Sequence, residues 1–431
     1  MKRNIFNKEK AVFLSEKVPF FLFCFICLLP ILEVTLVSKG LLFFFATGIL
    51  LKYKTGFKNL TNIPKKHLII NVAFYVLLII TILYSFDTKQ GSKAIVRQLS
   101  LFLFPFIIFY FLDLSKKQII QLAKVFVFAN VISSLYLIIY VINYYGIDNI
   151  DGVLSFYSGL DFRSAIETDS YKEWHPAYIG AFIMASILIL IHGIYSTTSK
   201  KVKLSNVGLI VFFISMLLLL NSRTAFYSLI IITPIQLLLE TKSLKNKIVM
   251  FLVYLVCIGV LGYFVVNEYS LYYRLLLQIE KAYDWLITGE ILEVAVDPRY
   301  YIYQCNYELF LEKPWLGYGI GDIQYNLNNC YLDNEYFKLY NNEFNSHSNY
   351  FFLLLSGGIL ILGSFLFLII HNIRHSIRNK DYLFFSFLIL FLLVGISESF
   401  LVRLNGILFF SIFNSVLYYR NQILKKQDCL R

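Results

Sequence analysis

The chain has 431 residues, of which 58% are hydrophobic and 18% aromatic, whereas only 15% are charged, and its formal net charge is +12. A soluble protein of this length would carry about a quarter charged residues, so the composition excludes an ordinary soluble domain. Its many nearly charge-free runs approach the roughly 20 residues that cross a bilayer, and they predict an all-α polytopic membrane protein.

In chain order, these runs predict about twelve membrane spans. The fourth is short, and the seventh and eighth are joined by almost no loop. The first follows a basic leader without a small-residue cleavage site, so we expect it to remain as a span rather than to be removed as a signal peptide. The spans are predicted at 18–36, 39–54, 67–86, 97–112, 118–144, 176–195, 204–221, 223–239, 247–267, 348–371, 381–396 and 402–420.

The links between these spans differ in charge on the two sides of the membrane. The two termini and the even-numbered links hold 25 of the 39 basic residues but only six of the 27 acidic residues. Basic residues concentrate on the cytoplasmic side of membrane proteins. The distribution therefore predicts that both termini are cytoplasmic, and it explains the positive net charge without a nucleic-acid partner.

Two outward segments are large enough to carry polar chemistry. A smaller one, near 143–175, is acidic and aromatic, and a larger one covers 268–346. In the larger segment, apolar spacing predicts helices over 272–287 and 300–311, the second ending before Pro314. The chain is thus predicted to comprise spans one to nine over 1–267, the large outer loop over 268–346, and spans ten to twelve with a cytoplasmic tail over 347–431.

Four cysteines form two pairs in the sequence. Cys24 and Cys27 share a CxxC spacing, but they lie in a predicted span without further ligands, which indicates core or lipid-facing thiols rather than a metal site. Cys305 and Cys330 share the large outer loop, where an oxidising compartment would allow a disulfide. Two unpaired thiols remain the alternative at this point.

Three cationic or titratable residues lie where polar chemistry could be built. Arg223 interrupts an otherwise apolar stretch; it either faces a cavity as an anion ligand or lies in a tight turn and reaches the interface. Arg299 lies in the large loop, where arginines are usually solvated. His347 lies where that loop meets the tenth span, and it is either a structural hydrogen-bonding group or a base. The glycines at 317, 319 and 321 form a turn that either reverses the chain or lets backbone approach a substrate.

The spacing of these residues resembles the O-antigen ligase and O-antigen polymerase superfamily. Arg299 is followed fifteen residues later by Pro314 and a Gly-x-Gly-x-Gly run, and His347-Ser348-Asn349 then opens an apolar helix. Ser222-Arg223 is similar to the intramembrane Ser-Arg pair of that family. Glu398, Ser399 and Arg403 are similar to the penultimate outer turn of that family. The pair His175-Pro176, which opens the sixth predicted span, is similar to a pair in relatives of the same superfamily.

The resemblance implies a membrane-embedded glycosyltransferase with a GT-C-like helical fold. Its donor would be a glycan on a polyprenyl pyrophosphate carrier, and its active site would lie on the periplasmic side of the bacterial inner membrane. Arg223 and Arg299 would hold the pyrophosphate, and His347 would accept the proton of the attacking hydroxyl. The residues expected to contact substrate are Trp315, Gly317, Tyr318, Gly319, Tyr300, Asn349, Glu398 and Arg403.

Metal and carboxylate chemistry fit the sequence less well. Asp148 with Asp151, and Asp333 with Glu335, are loose pairs rather than a compact Asp-x-Asp motif or a glycosidase pair. We therefore expect a metal-independent, inverting transfer without a cofactor. The acceptor would be lipid A–core for a ligase or the growing glycan for a polymerase. A transporter of lipid-linked oligosaccharide is the alternative of another class, although no matching halves are visible in the sequence.

Overall fold

The computed structural model describes residues 20–55 except 22, 65–106, 108, 114–146, 159–168, 175–267 and 298–428. Within these residues no strand occurs, which confirms the all-α prediction. The helices are α1 (Val34–Thr55), α2 (Lys65–Ile80, continued by a 3-10 turn, Thr81–Tyr84), α3 (Thr88–Arg97), α4 (Ser100–Phe106), α5 (Lys116–Tyr145), α6 (Gly159–Thr168), α7 (Pro176–Ser196), α8 (Lys200–Leu220), α9 (Arg223–Glu240), α10 (Leu244–Asn267), α11 (Pro298–Glu312), α12 (Ile323–Asp333), α13 (Phe337–Asn341), α14 (Asn349–Arg378), α15 (Tyr382–Ser397) and α16 (Leu404–Asp428).

Five of the described helices are long and apolar enough to cross a membrane. They are α2 with its 3-10 extension, α5, α7, α8 and α14. α15 is apolar but shorter, at 16 residues. The chain is thus a multi-pass helical membrane protein, and the number of twelve spans remains a prediction.

The centre of the bundle is α7. Pro176 occupies its first position, where the missing amide leaves no hydrogen bond unmade, and His175 precedes it as the N-cap. Nearly every side chain from Pro176 to Ile191 is buried, because α7 packs against α5, α8, α9 and α15. A helix that is apolar all round is one enclosed by other helices, and α7 therefore supports the elements that carry the polar residues described below.

Phenylalanine rings fill the contact between α5, α7, α15 and α16. The ring of Phe413 lies 4.8 Å from that of Phe126 and 4.9 Å from that of Phe387. Phe409 lies 5.0 Å from Phe182. Edge-to-face and offset pairs at these separations are the favoured aromatic geometries, so this layer fixes the register of α16 against the rest of the bundle.

The described part of the large outer loop forms a small helical unit above α14. α11 lies within one residue or two of the predicted 300–311 helix and ends before Pro314. A disulfide joins Cys305 on α11 to Cys330 on α12, with Cα atoms 5.8 Å apart. The bridge ties the two longest helices of the unit together, and it resolves the alternative of two unpaired thiols.

Two predicted spans have different boundaries in the structure. The helix expected over 18–36 is interrupted by turns over 27–32, since Pro30 has no amide to donate, and α1 starts afresh at Val34. The span expected over 97–112 is preceded by the polar helix α3, and the chain turns at Gln98 before the short α4 begins. The helix expected over 272–287, and most of the smaller outer segment, lie outside the described residues.

Candidate functional site

Charged and titratable side chains from separate parts of the chain meet at one end of the bundle. We refer to this group as the arginine cluster, and it consists of Arg163, His175, Arg299, His347, Glu398 and Arg403. Its members come from α6, the start of α7, the start of α11, the start of α14 and the turn between α15 and α16. Of the residues expected from sequence, Arg299, His347, Glu398 and Arg403 are thus brought together.

Glu398 is the anionic member of the cluster. Its Oε1 accepts a hydrogen bond of 2.6 Å from Nη2 of Arg299, and the Glu398 side chain is only 5% exposed whereas that of Arg299 is 29% exposed. Burial raises the pKa of the Glu398 carboxyl, and the positive charges of Arg299, Arg163 and Arg403 act against that rise. The carboxylate is therefore held in a buried position mainly by the arginines around it.

His175 is held neutral in the same place. Burial, followed by the charges of Arg163, Arg403 and Arg299, lowers its pKa to about 3. Its Nδ1 accepts a hydrogen bond of 3.4 Å from the amide of Ala177, as an N-cap acceptor must. His175 is thus a neutral hydrogen-bonding group at physiological pH, and it adds no further positive charge to the cluster.

His347 lies at the junction of the outer loop and α14 in a left-handed backbone conformation, with φ of +44°. Its amide donates to Oδ1 of Asn345 at 2.9 Å, and its carbonyl accepts from the hydroxyl of Tyr303 at 3.2 Å. Non-glycine residues rarely adopt this conformation outside constrained sites. The backbone is therefore fixed on both sides, so that the half-buried imidazole is presented to the cluster.

Asn349 fastens this junction to the neighbouring turn. The side chain is buried, and its Oδ1 accepts from the amide of Leu401 at 2.8 Å. Ser346, also buried, contacts the hydroxyl of Ser399 at 3.2 Å. Asn349 thus holds the 398–403 turn in place beside His347, and the substrate contact expected from sequence stays a prediction.

Arg223 begins α9 directly after a left-handed turn at Asn221, whose φ is +46°. The carbonyl of Asn221 accepts from Nη1 of Arg163 at 3.2 Å, and the hydroxyl of Thr224 lies 2.7 Å from that of Ser397. Asn221 and Thr224, on either side of Arg223 in the chain, are thereby attached to the elements that carry the cluster. Its side chain is half-buried at this edge.

The glycine turn at 317–321 lies away from the arginine cluster. Glu312, the end of α11 that precedes the turn, is thirteen residues beyond Arg299, which at about 1.5 Å per residue is roughly 20 Å. The amides of Tyr318 and Gly319 donate to the carbonyls of Leu355 and Ser356 at 2.8 and 3.1 Å. These amides therefore have protein partners, and a substrate contact by Gly317, Tyr318 and Gly319 stays a prediction.

Glycine is required in this turn by close contact between two backbones. Gly317 and Gly319 have φ of +60° and +90°, and a Cβ on Gly317 would lie 2.5 Å from the carbonyl oxygen of Leu355. On the other side, Gly358 interrupts α14 with φ of +64°, where a Cβ would collide with the backbone of Trp315. The turn is a joint that attaches the outer loop to the kink of α14.

The three candidate aromatic residues differ in their availability. Tyr318 is buried and donates its hydroxyl to Oε2 of Glu312 at 2.5 Å; burial and that carboxylate raise its pKa. Trp315 is 67% exposed but belongs to the glycine joint. Tyr300, half-buried beside Arg299, is the one of the three next to the arginine cluster.

Among the described residues, one group has metal-ligand chemistry at suitable separations: Cys305, Glu308 and Cys330. Both sulfurs belong to the disulfide, so the group lacks the thiolates that a cation would need. Cys27 is buried in the core, as predicted, and Cys24 is half-buried.

Two members of the cluster were missed or undervalued by sequence reasoning. Arg163 belongs to the acidic outer segment, where it also contacts Glu167 at 2.8 Å, and an isolated arginine among acids carries no recognisable motif. His175 was noticed only through the following proline. The available signal is that His175 opens a long apolar run, which the structure shows to be the most enclosed of the five long apolar helices described.

Comparison with known proteins bears on part of the chain. Residues 208–368 match the family model described as O-antigen ligase. A search of curated proteins found no match to the chain. The matched segment includes Arg223, Arg299 and His347 and excludes Arg163, His175, Glu398 and Arg403. Residues 208–368 are therefore similar to the O-antigen ligase family, which confirms over that segment the resemblance to the O-antigen ligase and polymerase superfamily.

Proposed function

We propose that the chain is a membrane glycosyltransferase that moves a glycan from a polyprenyl-pyrophosphate carrier to an acceptor hydroxyl, and that it ligates O-antigen to lipid A–core. The observation that carries the proposal is the convergence of Arg163, Arg299 and Arg403 around one buried carboxylate. Three guanidinium groups against two carboxylates, Glu398 and the partly exposed Glu167 that pairs with Arg163, leave excess positive charge, which suits a pyrophosphate leaving group.

The proposed chemistry is a single displacement. The acceptor hydroxyl attacks the anomeric carbon, the bond from that carbon to the pyrophosphate oxygen breaks, and the electron pair leaves with the pyrophosphate. The hydroxyl proton passes to the imidazole of His347, and the anomeric configuration inverts. Arg299 and Arg223 hold the leaving charge, an effect that commonly supplies about 3 kcal/mol of barrier lowering per well-placed donor.

The neutral state of His175 supports the assignment of the base role to His347. A histidine whose pKa lies at about 3 cannot act as a base that takes up a proton near pH 7. His347 is therefore the imidazole of the cluster to which we assign the base role. The acidic residues offer no comparable base, since Glu398 is engaged by Arg299.

We also propose that the site faces the periplasm from the inner membrane, with both termini in the cytoplasm. The Cys305–Cys330 disulfide supports this placement, because disulfides persist in oxidising compartments. The basic links at the other ends of the predicted spans support the same orientation.

Deletion of the gene in its source organism, followed by gel display of the surface glycolipid, tests the assignment. Bare core with polymer retained on the carrier lipid is the expected result for a ligase. Core bearing a single repeat unit would indicate a repeat-unit polymerase. Accumulation of single repeat units, still attached to the carrier lipid on the cytoplasmic side, would instead indicate a transporter.

Variants at Arg299, in the arginine cluster, and at Arg223, outside it, test the chemistry in purified protein. Arg299→Lys and Arg223→Lys keep the charge but lose the planar fork, and we expect at least a tenfold loss of transfer rate. Arg378→Lys is the matched control, since Arg378 is exposed at the far end of α14. Wild-type rates in both variants would exclude Arg299 and Arg223 as the groups that hold the pyrophosphate.

A further inference from the structure

α3 carries two faces of opposite character, although it has only ten residues. Gly91 and Ile95 are buried on one face. The other face is an exposed, shallow groove, which we call the basic face; it is lined by Lys89, Ser92, Lys93, Val96 and Arg97. The helix is therefore amphipathic with a cationic outer side.

The positive charges on the basic face follow the helix period. Lys89, Lys93 and Arg97 are four residues apart, so they lie on one side at steps of about 6 Å. No acidic residue occurs from Thr88 to Gln98. The basic face thus presents three cations without a neighbouring acid on its own helix.

The carboxylates adjoining α3 are engaged elsewhere. Asp87 caps the helix by accepting from the amide of Gln90 at 2.8 Å. Asp322 accepts from the amides of Phe86 and Asp87 at 2.6 and 2.8 Å. Neither is therefore the intended partner of the lysines.

α3 is held firmly at the boundary of the apolar bundle. It follows the spanning helix 65–84 and precedes α4, which packs against α2 and α16. The hydroxyl of Tyr75 on α2 donates to the carbonyl of Ile95 at 3.2 Å, and Gly91 packs against Gly321. Beside the basic face, Leu83, Phe86 and Val96 are 83, 97 and 68% exposed. Apolar and cationic side chains side by side are typical of helices at a lipid interface.

The location of this charge has no topological explanation. α3 lies on the same side of the predicted topology as the 298–346 segment. The links and loops on that side hold most of the acidic residues of the chain. Basic residues orient a membrane protein from the opposite side. Topology therefore does not account for three cations at this place, whereas contact with an anion would.

We propose that the basic face binds the phosphate headgroup of an anionic phospholipid in the leaflet on the side of the 298–346 segment. Lysine heads reach phosphate oxygens while their stems lie along apolar surface, and the exposed Leu83 and Phe86 lie among the acyl chains. α3 contacts the glycine turn through Gly91 on its buried face, and the length of α11, roughly 20 Å, lies between that turn and Arg299. The basic face is thus a second anion site, and it does not depend on the proposed transfer reaction.

Energy transfer from a probe in the groove tests this assignment. Ser92→Cys places a fluorophore on the basic face, with Cys24, Cys27, Cys257 and Cys429 replaced by serine, in the full chain reconstituted into nanodiscs. Headgroup-labelled phosphatidylglycerol and phosphatidylcholine are compared at equal mole fraction. We expect phosphatidylglycerol to be enriched by at least about fivefold, the ratio for one lysine–phosphate contact near a membrane.

Two variants separate charge from shape. In K89Q/K93Q/R97Q the energy transfer from phosphatidylglycerol should fall to the level seen with phosphatidylcholine. K89R/K93R keeps the charge and should keep the enrichment of phosphatidylglycerol. All three side chains are exposed, so the neutral variant should keep the wild-type unfolding temperature. Equal signals from the two lipids in the wild type, or enrichment that survives in the neutral variant, would overturn the proposal. A probe response to inorganic phosphate without lipid enrichment would assign the face to a soluble anion and would equally overturn it.

Discussion

Glu398→Gln separates the charge of the arginine cluster from its shape. The amide oxygen of glutamine can still accept the hydrogen bond that Arg299 now donates to Oε1 at 2.6 Å. The negative charge is lost, however, and Arg163, Arg299 and Arg403 then surround a neutral group. We expect inorganic pyrophosphate to bind more tightly and the folded state to lose no stability, because the raised pKa of Glu398 means that the fold already favours the uncharged carboxyl.

The sizes of both effects follow from burial. Breaking a fully buried ion pair costs about 3–5 kcal/mol, but Arg299 is 29% exposed, the hydrogen bond is retained, and the raised pKa of Glu398 already favours its uncharged form, so we expect the unfolding free energy to change by less than about 1 kcal/mol. A unit charge about 8 Å from the ligand contributes about 2 kcal/mol at an effective dielectric constant of 20. Partial solvent exposure reduces that value, which leaves roughly a tenfold gain in affinity.

Calorimetric titration of the purified chain with inorganic pyrophosphate measures the affinity, and thermal unfolding measures the stability. Glu167→Gln is the matched control, because Glu167 also contacts an arginine of the cluster, at 2.8 Å, but is 41% exposed. An exposed pair contributes little, so this variant should stay within about twofold of the wild type.

The pH dependence has a definite sign. The pKa of Glu398 is raised, chiefly by burial, so the wild type loses this negative charge as pH falls through that pKa. The affinity of the wild type should then approach that of Glu398→Gln. Weaker pyrophosphate binding by Glu398→Gln at neutral pH would refute the reasoning, since it would mean that the carboxylate charge organises the arginines for the ligand.

Three further predictions concern the supports of the site. Gly358→Ala should lower the unfolding free energy by at least about 2 kcal/mol, because its φ of +64° and the Trp315 backbone leave no room for a Cβ; Gly363→Ala in the same helix, which meets nothing within 4 Å, should not. Cys305→Ser should cost about 3 kcal/mol for a bridge across 25 residues, and reductant should lower the unfolding temperature of the wild type but not of the variant. His175→Gln should flatten the loss of stability as pH falls from the ordinary histidine range to about 3, since the unfolded chain takes up the proton first.

Much of the fold was predictable because apolar runs and glycine–proline punctuation are local signals. Pro314 ended α11 as expected, and the spacing of Arg299 and His347 indicated residues that the structure brings into one cluster. Break positions inside apolar runs were less predictable. The turn at Gln98 depends on a buried hydrogen bond from its side chain to the carbonyl of Leu401, 303 residues away, which no local pattern encodes.

The glycine turn shows why a motif does not reveal its own role. Glycine at positive φ with a close neighbour is required both where backbone meets substrate and where backbone meets backbone. The sequence left both possibilities open for Gly317 and Gly319. The structure favours the joint, because the carbonyls of Leu355 and Ser356 on α14 accept the amides at this turn.

The arrangement of the cluster implies that residues 208–368 cannot form the site alone. That segment supplies Arg299 and His347, but Glu398, which holds Arg299, comes from beyond it. α7 and α15, against which α9 packs, are also outside the segment. We expect residues 208–368, expressed without the rest of the chain, to fail to bind pyrophosphate, and the full chain to bind it in the same assay. Equal binding by both would show that the segment outside the match adds nothing to the anion site, and it would remove Glu398, Arg163 and Arg403 from it.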